Sequence, residues 1–125
     1  MSTDQKPTVS IPGEPPPAAL LTEDLIEGDG PEATPGVMVT VDYVGVAWST
    51  GNQFDASWDR NDTFAFTLGA GEVIGGWDQG VQGMRVGGRR QLTIPPDLAY
   101  GRQGAGGVIG PDETLVFVVD LRGIG

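Results

Sequence analysis

The segment Leu68-Gly-Ala-Gly-Glu-Val-Ile-Gly-Gly-Trp-Asp-Gln-Gly-Val-Gln-Gly-Met84 decides how the rest of the chain is interpreted. Within it, Trp77, Val81 and Met84 stand at i, i+4 and i+7, so a helix would carry all three on one side. The two glycines between them each cost a helix interior about 1 kcal/mol relative to alanine. We therefore expect one short helix, beginning after Gly75-Gly76, that depends on tertiary packing.

Strand patterns surround this segment. Apolar and polar residues alternate, as on half-buried strands, at Val37, Val39, Val41 and Tyr43, at Phe64, Phe66 and Leu68, and at Leu115, Phe117, Val119 and Leu121. Further strands are expected at Leu20 to Ile26, as an edge strand, and at Arg89 to Ile94, which Pro95-Pro96 terminates. Polar residues from Asp55 to Thr63 and glycines from Gly101 to Gly110 indicate loops. Together these patterns predict an α+β fold in which a curved antiparallel sheet of about five strands closes its core against the helix.

The first 17 residues differ from the rest. They are slightly acidic, with Asp4 and Glu14 against Lys6, and rich in proline, including Pro15-Pro16-Pro17. This composition is typical of flexible, partly polyproline segments. We expect a flexible arm over residues 1–17 and one folded domain over residues 18–125, since a chain of 125 residues has room for a single modest core.

Composition excludes several kinds of chemistry. The chain has no cysteine and no histidine, which removes disulfides, thiol nucleophiles, histidine triads and the usual zinc, haem and iron–sulfur ligand sets. We expect no metal and no cofactor. A formal charge of −10 would repel nucleic acid and anionic membranes. Neither a secretory signal nor a membrane span is evident, which predicts a cytoplasmic protein.

Two glycine motifs resemble ligand-binding loops. The run from Gly69 to Gly75 reads G-x-G-x-x-x-G, one residue longer than a dinucleotide fingerprint, and no βαβ unit surrounds it. Gly80-Val-Gln-Gly83 matches the short backbone clamp used on RNA, but the chain is strongly acidic. A tight turn and close helix packing are the favoured interpretations.

Two further sets of residues suggest a site. Asp55, Asp59 and Asp62 share one loop, with Glu72 not far behind; because Arg60 lies among them, an ion pair is favoured over a catalytic carboxylate pair. Seven of the nine aromatic residues are Tyr43, Phe54, Phe64, Phe66, Trp77, Tyr100 and Phe117. Composition and periodicity leave two alternatives open for them, a binding pocket and a plain core.

A family resemblance favours the pocket. The chain resembles the FKBP family of prolyl isomerases, as a small, bacterial-like, single-domain member, from about residue 20 to residue 123. The matching motifs are Tyr43-Val-Gly45, Gln53-Phe-Asp-Ala-Ser57, Asp59-Arg60, Phe64-Ala-Phe66, Leu68 to Ile74, Gly76-Trp77, Gly80-Val81, Gly83-Met84, Leu92-Thr-Ile94, Pro96 to Gly101 and Thr114 to Phe117. The resemblance implies a sheet wrapped around the short helix, with a pocket between the helix and the concave face.

The resemblance also implies site residues. The catalytic set would be Tyr43, Phe54, Asp55, Trp77, Tyr100 and Phe117, and the substrate-binding set Arg60, Phe64, Val73, Ile74 and Ile109. Trp77 would form the floor, Asp55 would pair with Arg60, and the Ile74 N–H and Tyr100 hydroxyl would hold peptide carbonyls. Tyr100 and Ile109 would lie at the rim. Where many relatives carry a histidine in the following loop, this chain has Ala105.

The implied activity is cis-trans isomerisation of Xaa-Pro bonds by a monomer without a cofactor. Its substrates would be proline-containing peptides and unfolded or partly folded proteins, and its inhibitors macrolides such as tacrolimus and rapamycin. One alternative is a module that binds proline-containing segments without turning them over. In another, the proline-rich arm occupies the pocket of its own or a neighbouring molecule.

Overall fold

The computed structural model describes residues 2–125, which form one antiparallel sheet and one short helix. The elements are β1 (Leu21–Ile26), β2 (Met38–Ala47), β3 (Gln53–Ala56), β4 (Phe64–Thr67), α1 (Gly75–Gly80), β5 (Arg89–Ile94) and β6 (Leu115–Ile124), with single 3₁₀ turns at Ser57–Arg60, Pro96–Leu98 and Gly101–Gln103. The six strands lie in the order β1-β5-β6-β2-β3, with β4 also pairing with β2. The predicted α+β fold, an antiparallel sheet with one short helix, is confirmed.

The core lies between α1 and one face of the sheet. The expected alternation is confirmed, since Val39, Val41, Phe66, Leu115, Val119 and Leu121 are all buried there with Trp77, Val81 and Met84. The helix begins at Gly75 and ends at Gly80, so Val81 and Met84 reach the core from just beyond it. A helix this short is unstable alone.

The glycines in α1 allow that packing. A Cβ atom at Gly80 would lie 2.9 Å from the Leu92 side chain, and one at Gly76 would overlap Ile94. Both neighbours are fully buried residues of β5. The glycines that weaken the helix therefore let it approach the sheet closely.

The second face of the sheet is covered by the arm. Val9 and Ile11 pack against a small cluster formed by Val44, Val46 and Ala56. The second half of β2 is therefore buried on both faces, whereas the alternation predicts a strand buried on one. The boundary at residue 17 and the flexibility of the arm stay predictions.

A buried ion pair lies on this same face. Arg89 Nε donates to Asp120 Oδ1 over 2.6 Å, and both side chains are almost fully shielded from solvent. Arg89 Nη2 also donates to the Gln5 carbonyl of the arm over 2.7 Å. Burial raises the pKa of Asp120, and the hydrogen bonds from Arg89 oppose that shift.

The segment expected as a polar loop, Asp55 to Thr63, is partly structured. It contains the end of β3 and a 3₁₀ turn, and β3 accounts for one strand more than expected. β3 has four residues, three of which pair with β2 beside a bulge, and this is too short a stretch for alternation to show. No helix within residues 2–125 is long and apolar enough to cross a membrane.

Candidate active site

An aromatic cleft of about 210 Å³ lies between α1 and the core face of the sheet. It is lined by Tyr43, Phe54, Asp55, Phe64, Glu72, Val73, Ile74, Trp77, Tyr100 and Phe117. Nine of these ten are the residues predicted from sequence, and Glu72 is additional. A larger cavity of about 490 Å³ lies under the arm on the other face, with Trp48 as its one aromatic lining residue.

Trp77 forms the floor of the cleft. Its ring centroid lies 4.9 Å from that of Tyr43 and 5.3 Å from that of Phe117, and both rings meet it nearly edge-on. Phe54 extends this wall through an edge contact with Phe117 at 5.5 Å. Such edge-to-face contacts fix ring orientations, so the walls are set before any ligand arrives.

Gly45 leaves space for the rings of Phe54 and Phe117 in the cleft wall. A Cβ atom at Gly45 would lie 2.6 Å from Phe54 and 2.7 Å from Phe117. Both approaches are closer than carbon atoms tolerate, so any side chain at this position would displace the two rings. The motif Tyr43-Val-Gly45 therefore supplies both a wall and the space beside it.

One polar triad stands at the edge of the aromatic floor. The Tyr43 hydroxyl donates to Asp55 Oδ2 over 2.6 Å, Arg60 Nη1 donates to Asp55 Oδ1 over 2.5 Å, and Arg60 Nη2 donates to the Tyr43 oxygen over 2.8 Å. Arg60 thus forms the ion pair that the loop composition favours. It lies outside the lining and reaches the cleft through these two partners.

Burial and pairing act in opposite directions on this triad. Burial would raise the pKa of Asp55, but hydrogen bonds from Tyr43 and Arg60 outweigh it and hold the pKa below its usual value. Burial and the bond to Asp55 raise the pKa of Tyr43. At neutral pH the cleft therefore presents an anionic carboxylate held by a neutral phenol and a cation.

The loop before α1 is fixed by a carboxylate. Asp78 accepts hydrogen bonds from the N–H groups of Gly69 at 2.9 Å and Gly71 at 3.0 Å, and both glycines have positive φ. The glycine run is therefore a tight turn whose amides bind an internal anion. It carries Val73 and Ile74 to the cleft wall, and the Ile74 N–H donates to no acceptor within residues 2–125.

The rim differs from the expectation at one residue. Tyr100 is 41% exposed and lines the cleft, whereas Ile109 is 6% exposed and packs within the core. The cause is a bridge between Ala105 and Ile109, which folds the glycine-rich loop back on itself. This turns Ile109 inward and leaves the neighbouring Val108 exposed.

Three residues that support the site are absent from the set predicted from sequence, although Glu72 had been considered as a carboxylate near Asp55. They are Glu72, which lines the cleft and accepts from the Thr67 N–H at 3.0 Å, Asp78, and Ser57, whose hydroxyl accepts from the Tyr43 N–H at 2.8 Å. Ser57 belongs to the motif Gln53-Phe-Asp-Ala-Ser57, but composition gave no sign of its partner.

The other loop carboxylates do not form a catalytic pair with Asp55. Asp59 instead binds Lys6 at 2.8 Å and Gln53 at 2.7 Å. Within residues 2–125 no cluster of three or more acidic, cysteine or histidine side chains is arranged to hold a metal ion. The cleft therefore offers a largely aromatic and aliphatic surface with two carboxylates, Asp55 held by Tyr43 and Arg60, and Glu72 held by the Thr67 N–H.

Comparisons with known proteins agree with this geometry. The family model described as FKBP-type peptidyl-prolyl cis-trans isomerase matches residues 30–122. An FK506-binding protein of Streptomyces anulatus is 63% identical over 118 residues, covering 94% of this chain and 95% of that protein. An FK506-binding protein of Neisseria meningitidis serogroup A is 52% identical over 104 residues, covering 82% of this chain and 94% of that protein.

A solved structure is also similar. The crystal structure of AtFKBP13 superimposes with a TM-score of 0.79 at 40% sequence identity, covering 88% of this chain and 96% of that chain. The aromatic cleft, the family match and these relatives together establish that the chain belongs to the family of FKBP-type peptidyl-prolyl cis-trans isomerases.

Proposed function

We propose that the aromatic cleft is where this chain performs the prolyl isomerisation of its family, on Xaa-Pro bonds of peptides and of unfolded or partly folded proteins. The observation that carries the proposal is the floor formed by Trp77, with Tyr43 and Phe117 standing edge-on at 4.9 and 5.3 Å. A flat indole between upright rings offers an apolar seat for a prolyl ring.

The apolar environment of the cleft would lower the barrier to rotation about the Xaa-Pro bond. Rotation about a peptide bond is opposed by about 18–20 kcal/mol because resonance gives the C–N bond double-bond character and places charge on oxygen. Water stabilises that charge. Moving the amide into an apolar cleft weakens this stabilisation of the planar forms, while the twisted form has lost the resonance and is penalised less.

A few polar groups would hold the peptide while the bond turns. The Ile74 N–H, which has no acceptor among residues 2–125, and the Tyr100 hydroxyl would donate to carbonyls flanking the proline, and the Asp55 carboxylate would face the twisting amide. Such placed contacts favour the twisted geometry over either planar form. No proton transfer is needed, so a solvent isotope effect showing rate-limiting proton transfer would contradict this mechanism.

The same cleft is proposed to bind macrolides. The relatives from Streptomyces and Neisseria are named FK506-binding proteins, and the cleft walls here combine apolar rings with donors at the rim, the general character of small-ligand sites. We propose that FK506 (tacrolimus) and rapamycin compete with peptide for the floor over Trp77.

We further propose that the protein acts as a cytoplasmic monomer that binds neither nucleic acid nor membranes. The formal charge of −10 supports the last two points, because anionic partners would be repelled. Sedimentation equilibrium tests the monomer, and localisation of a tagged chain in its host tests the compartment.

The test is the cis-trans exchange rate of a short Leu-Pro-Phe peptide, measured by NMR with purified protein, with and without rapamycin. Acceleration that rapamycin abolishes supports the proposal. If a well-folded sample binds the peptide without accelerating exchange, the cleft is instead a module that holds proline-containing segments. Acceleration that saturating rapamycin leaves unchanged would overturn the macrolide assignment.

A further inference from the structure

The segment Gln53–Arg60 contacts the cleft on one side and the arm on the other. One side carries Phe54 and Asp55 into the cleft and Arg60 to its edge. The other side meets the arm, where Lys6 Nζ donates to Asp59 Oδ1 over 2.8 Å and Val9 and Ile11 pack on the cluster that includes Ala56. Cleft wall and arm therefore share one short piece of backbone.

A chain of hydrogen bonds also connects the arm with Tyr43. The Tyr43 N–H donates to Ser57 Oγ over 2.8 Å, and Ser57 Oγ donates to Asp42 Oδ1 over 2.7 Å. Arg122 Nε donates to Asp42 Oδ2 over 2.9 Å, and its Nη2 donates to the Thr3 carbonyl over 2.6 Å. Each link is direct, and Ser57 is fully buried.

The backbone pairing of this segment is short. β3 pairs with β2 at three positions, interrupted by a bulge between Gly45 and Val46. Its other side has no partner strand within residues 2–125. An edge strand this short depends on side-chain packing for its placement, and Val9 and Ile11 of the arm contribute to that packing on the outer face.

We propose that the arm residues Thr3, Lys6, Val9 and Ile11, acting through Ser57 and Asp42, are positioning residues for the cleft. By docking on the outer face they hold Phe54, Asp55 and Tyr43 in the arrangement that receives the prolyl ring. The inference rests on the proposed function of the cleft. In this proposal the arm supports the pocket and does not occupy it, because the docked arm lies on the other face of the sheet from Trp77.

The test uses full-length variants with a matched control. Replacing Val9 and Ile11 together with aspartate should undock the arm, since it places two charges against Val44 and Val46. The control replaces Thr8 and Ser10, which are exposed, with aspartate, which adds the same charge to the arm and leaves Val9 and Ile11 in place. Because the chain has no cysteine, a nitroxide on Ser2→Cys reports docking through relaxation of outer-face amides.

The expected result is a linked loss. The variant with Val9→Asp and Ile11→Asp should lose the relaxation effect, bind rapamycin about fivefold or more weakly, and lower kcat/KM by a similar factor. The Asp55 pKa, followed by carbon-13 NMR, should rise toward its ordinary value as the triad loosens. The control should match the wild type in all four measurements. Linkage also requires rapamycin to raise the docked fraction of any partly undocked variant.

An undocked arm with unchanged kcat/KM and unchanged Asp55 titration would overturn the inference. If the double variant does not fold, the variants Val9→Ala and Lys6→Gln are measured instead, with the same nitroxide label. An undocked arm with unchanged kcat/KM and unchanged Asp55 titration in these variants would likewise overturn the inference. If the wild type does not bind rapamycin, the macrolide assignment fails by itself, and kcat/KM with the Asp55 titration still decides the role of the arm. If the wild type does not isomerise the peptide, the proposed function fails, and the Asp55 titration alone then decides whether the arm positions the cleft residues.

Discussion

The Tyr43 hydroxyl and the Asp55 carboxylate meet at 2.6 Å, although Tyr43 lies in the middle of the sheet on β2 and Asp55 on the short strand β3. Arg60 donates to both of them. A carboxylate so held keeps its charge and direction in an apolar cleft, a placement that a flexible surface acid would not have.

Replacing Asp55 with asparagine tests that placement. The amide keeps the size of the side chain but removes the charge, which weakens the bonds from Tyr43 and Arg60. Because the side chain is 38% exposed, solvent limits the effect, and we expect kcat/KM to fall about three- to tenfold. NMR exchange measures it. Asp62→Asn, an exposed acid of the same loop, is the control, and an equal loss there would refute the assignment.

Replacing Gly45 with alanine tests the space beside the rings. The new methyl group would overlap Phe54 and Phe117, and overpacking of this kind costs about 1–3 kcal/mol in the free energy of unfolding. We expect weaker rapamycin binding, measured by calorimetry, together with that loss in urea denaturation. Gly123→Ala, on β6 with open space at its Cβ, should change neither. Wild-type affinity in Gly45→Ala would contradict the described wall.

The pH dependence follows from the absence of histidine and from the shifts of two groups. The pKa of Asp55 is lower in the folded chain than its ordinary value, so its contribution to stability is present above about pH 4 and is lost as the pH falls through the folded value. The pKa of Tyr43 is raised, so the phenol stays protonated at least to its ordinary value.

We therefore expect kcat/KM to be flat from about pH 5 to pH 9 and to decline in acid as Asp55 is protonated. The NMR exchange assay across this range measures it. In Asp55→Asn the acid decline should disappear. A decline centred near pH 6 to 7 in the folded wild type would contradict the described site, because the pKa of Asp55 is lowered and that of Tyr43 is raised, both away from this range.

The buried pair of Arg89 and Asp120 gives a stability prediction. Arg89→Met leaves the Asp120 carboxylate buried without its partner, and breaking a pair of this kind costs about 3–5 kcal/mol in the free energy of unfolding. The double variant Arg89→Met with Asp120→Leu removes both charges and should recover most of that loss. Urea denaturation measures both proteins. If the double variant is no more stable than the single variant, the loss in Arg89→Met does not come from the unpaired charge of Asp120, and the prediction is wrong.

The sequence was informative where a pattern extends over many residues. The alternation through Val39, Val41 and Tyr43 and through Leu115 to Leu121 predicted the central strands, because one side faces the core throughout. The spacing of Trp77, Val81 and Met84 predicted the residues that meet the sheet, although the helix itself ends at Gly80. The residues that line the cleft were predicted from the family resemblance. Composition and periodicity alone did not distinguish a binding pocket from an ordinary core.

What escaped prediction depends on contacts between distant parts of the chain. Val9 and Ile11 alternate as strand residues do, but the prolines on both sides favoured a flexible arm, and only the three-dimensional arrangement shows these two residues packed behind β3. The direction of Ile109 depends on its bridge to Ala105, and the role of Ser57 depends on its distance from Tyr43. None of these leaves a local signal.

The position of β6 also governs when the molecule can form. This strand lies between β2 and β5 and pairs with both, yet residues 115–124 are the last of the strands to be synthesised. Until they emerge, β2 and β5 each expose an unpaired edge that belongs in the middle of the sheet, and such edges invite association with other chains. Pairing between strands so far apart in sequence is slow. We therefore expect folding to finish only after translation has passed Ile124, and any product interrupted before Leu115 to be prone to aggregation.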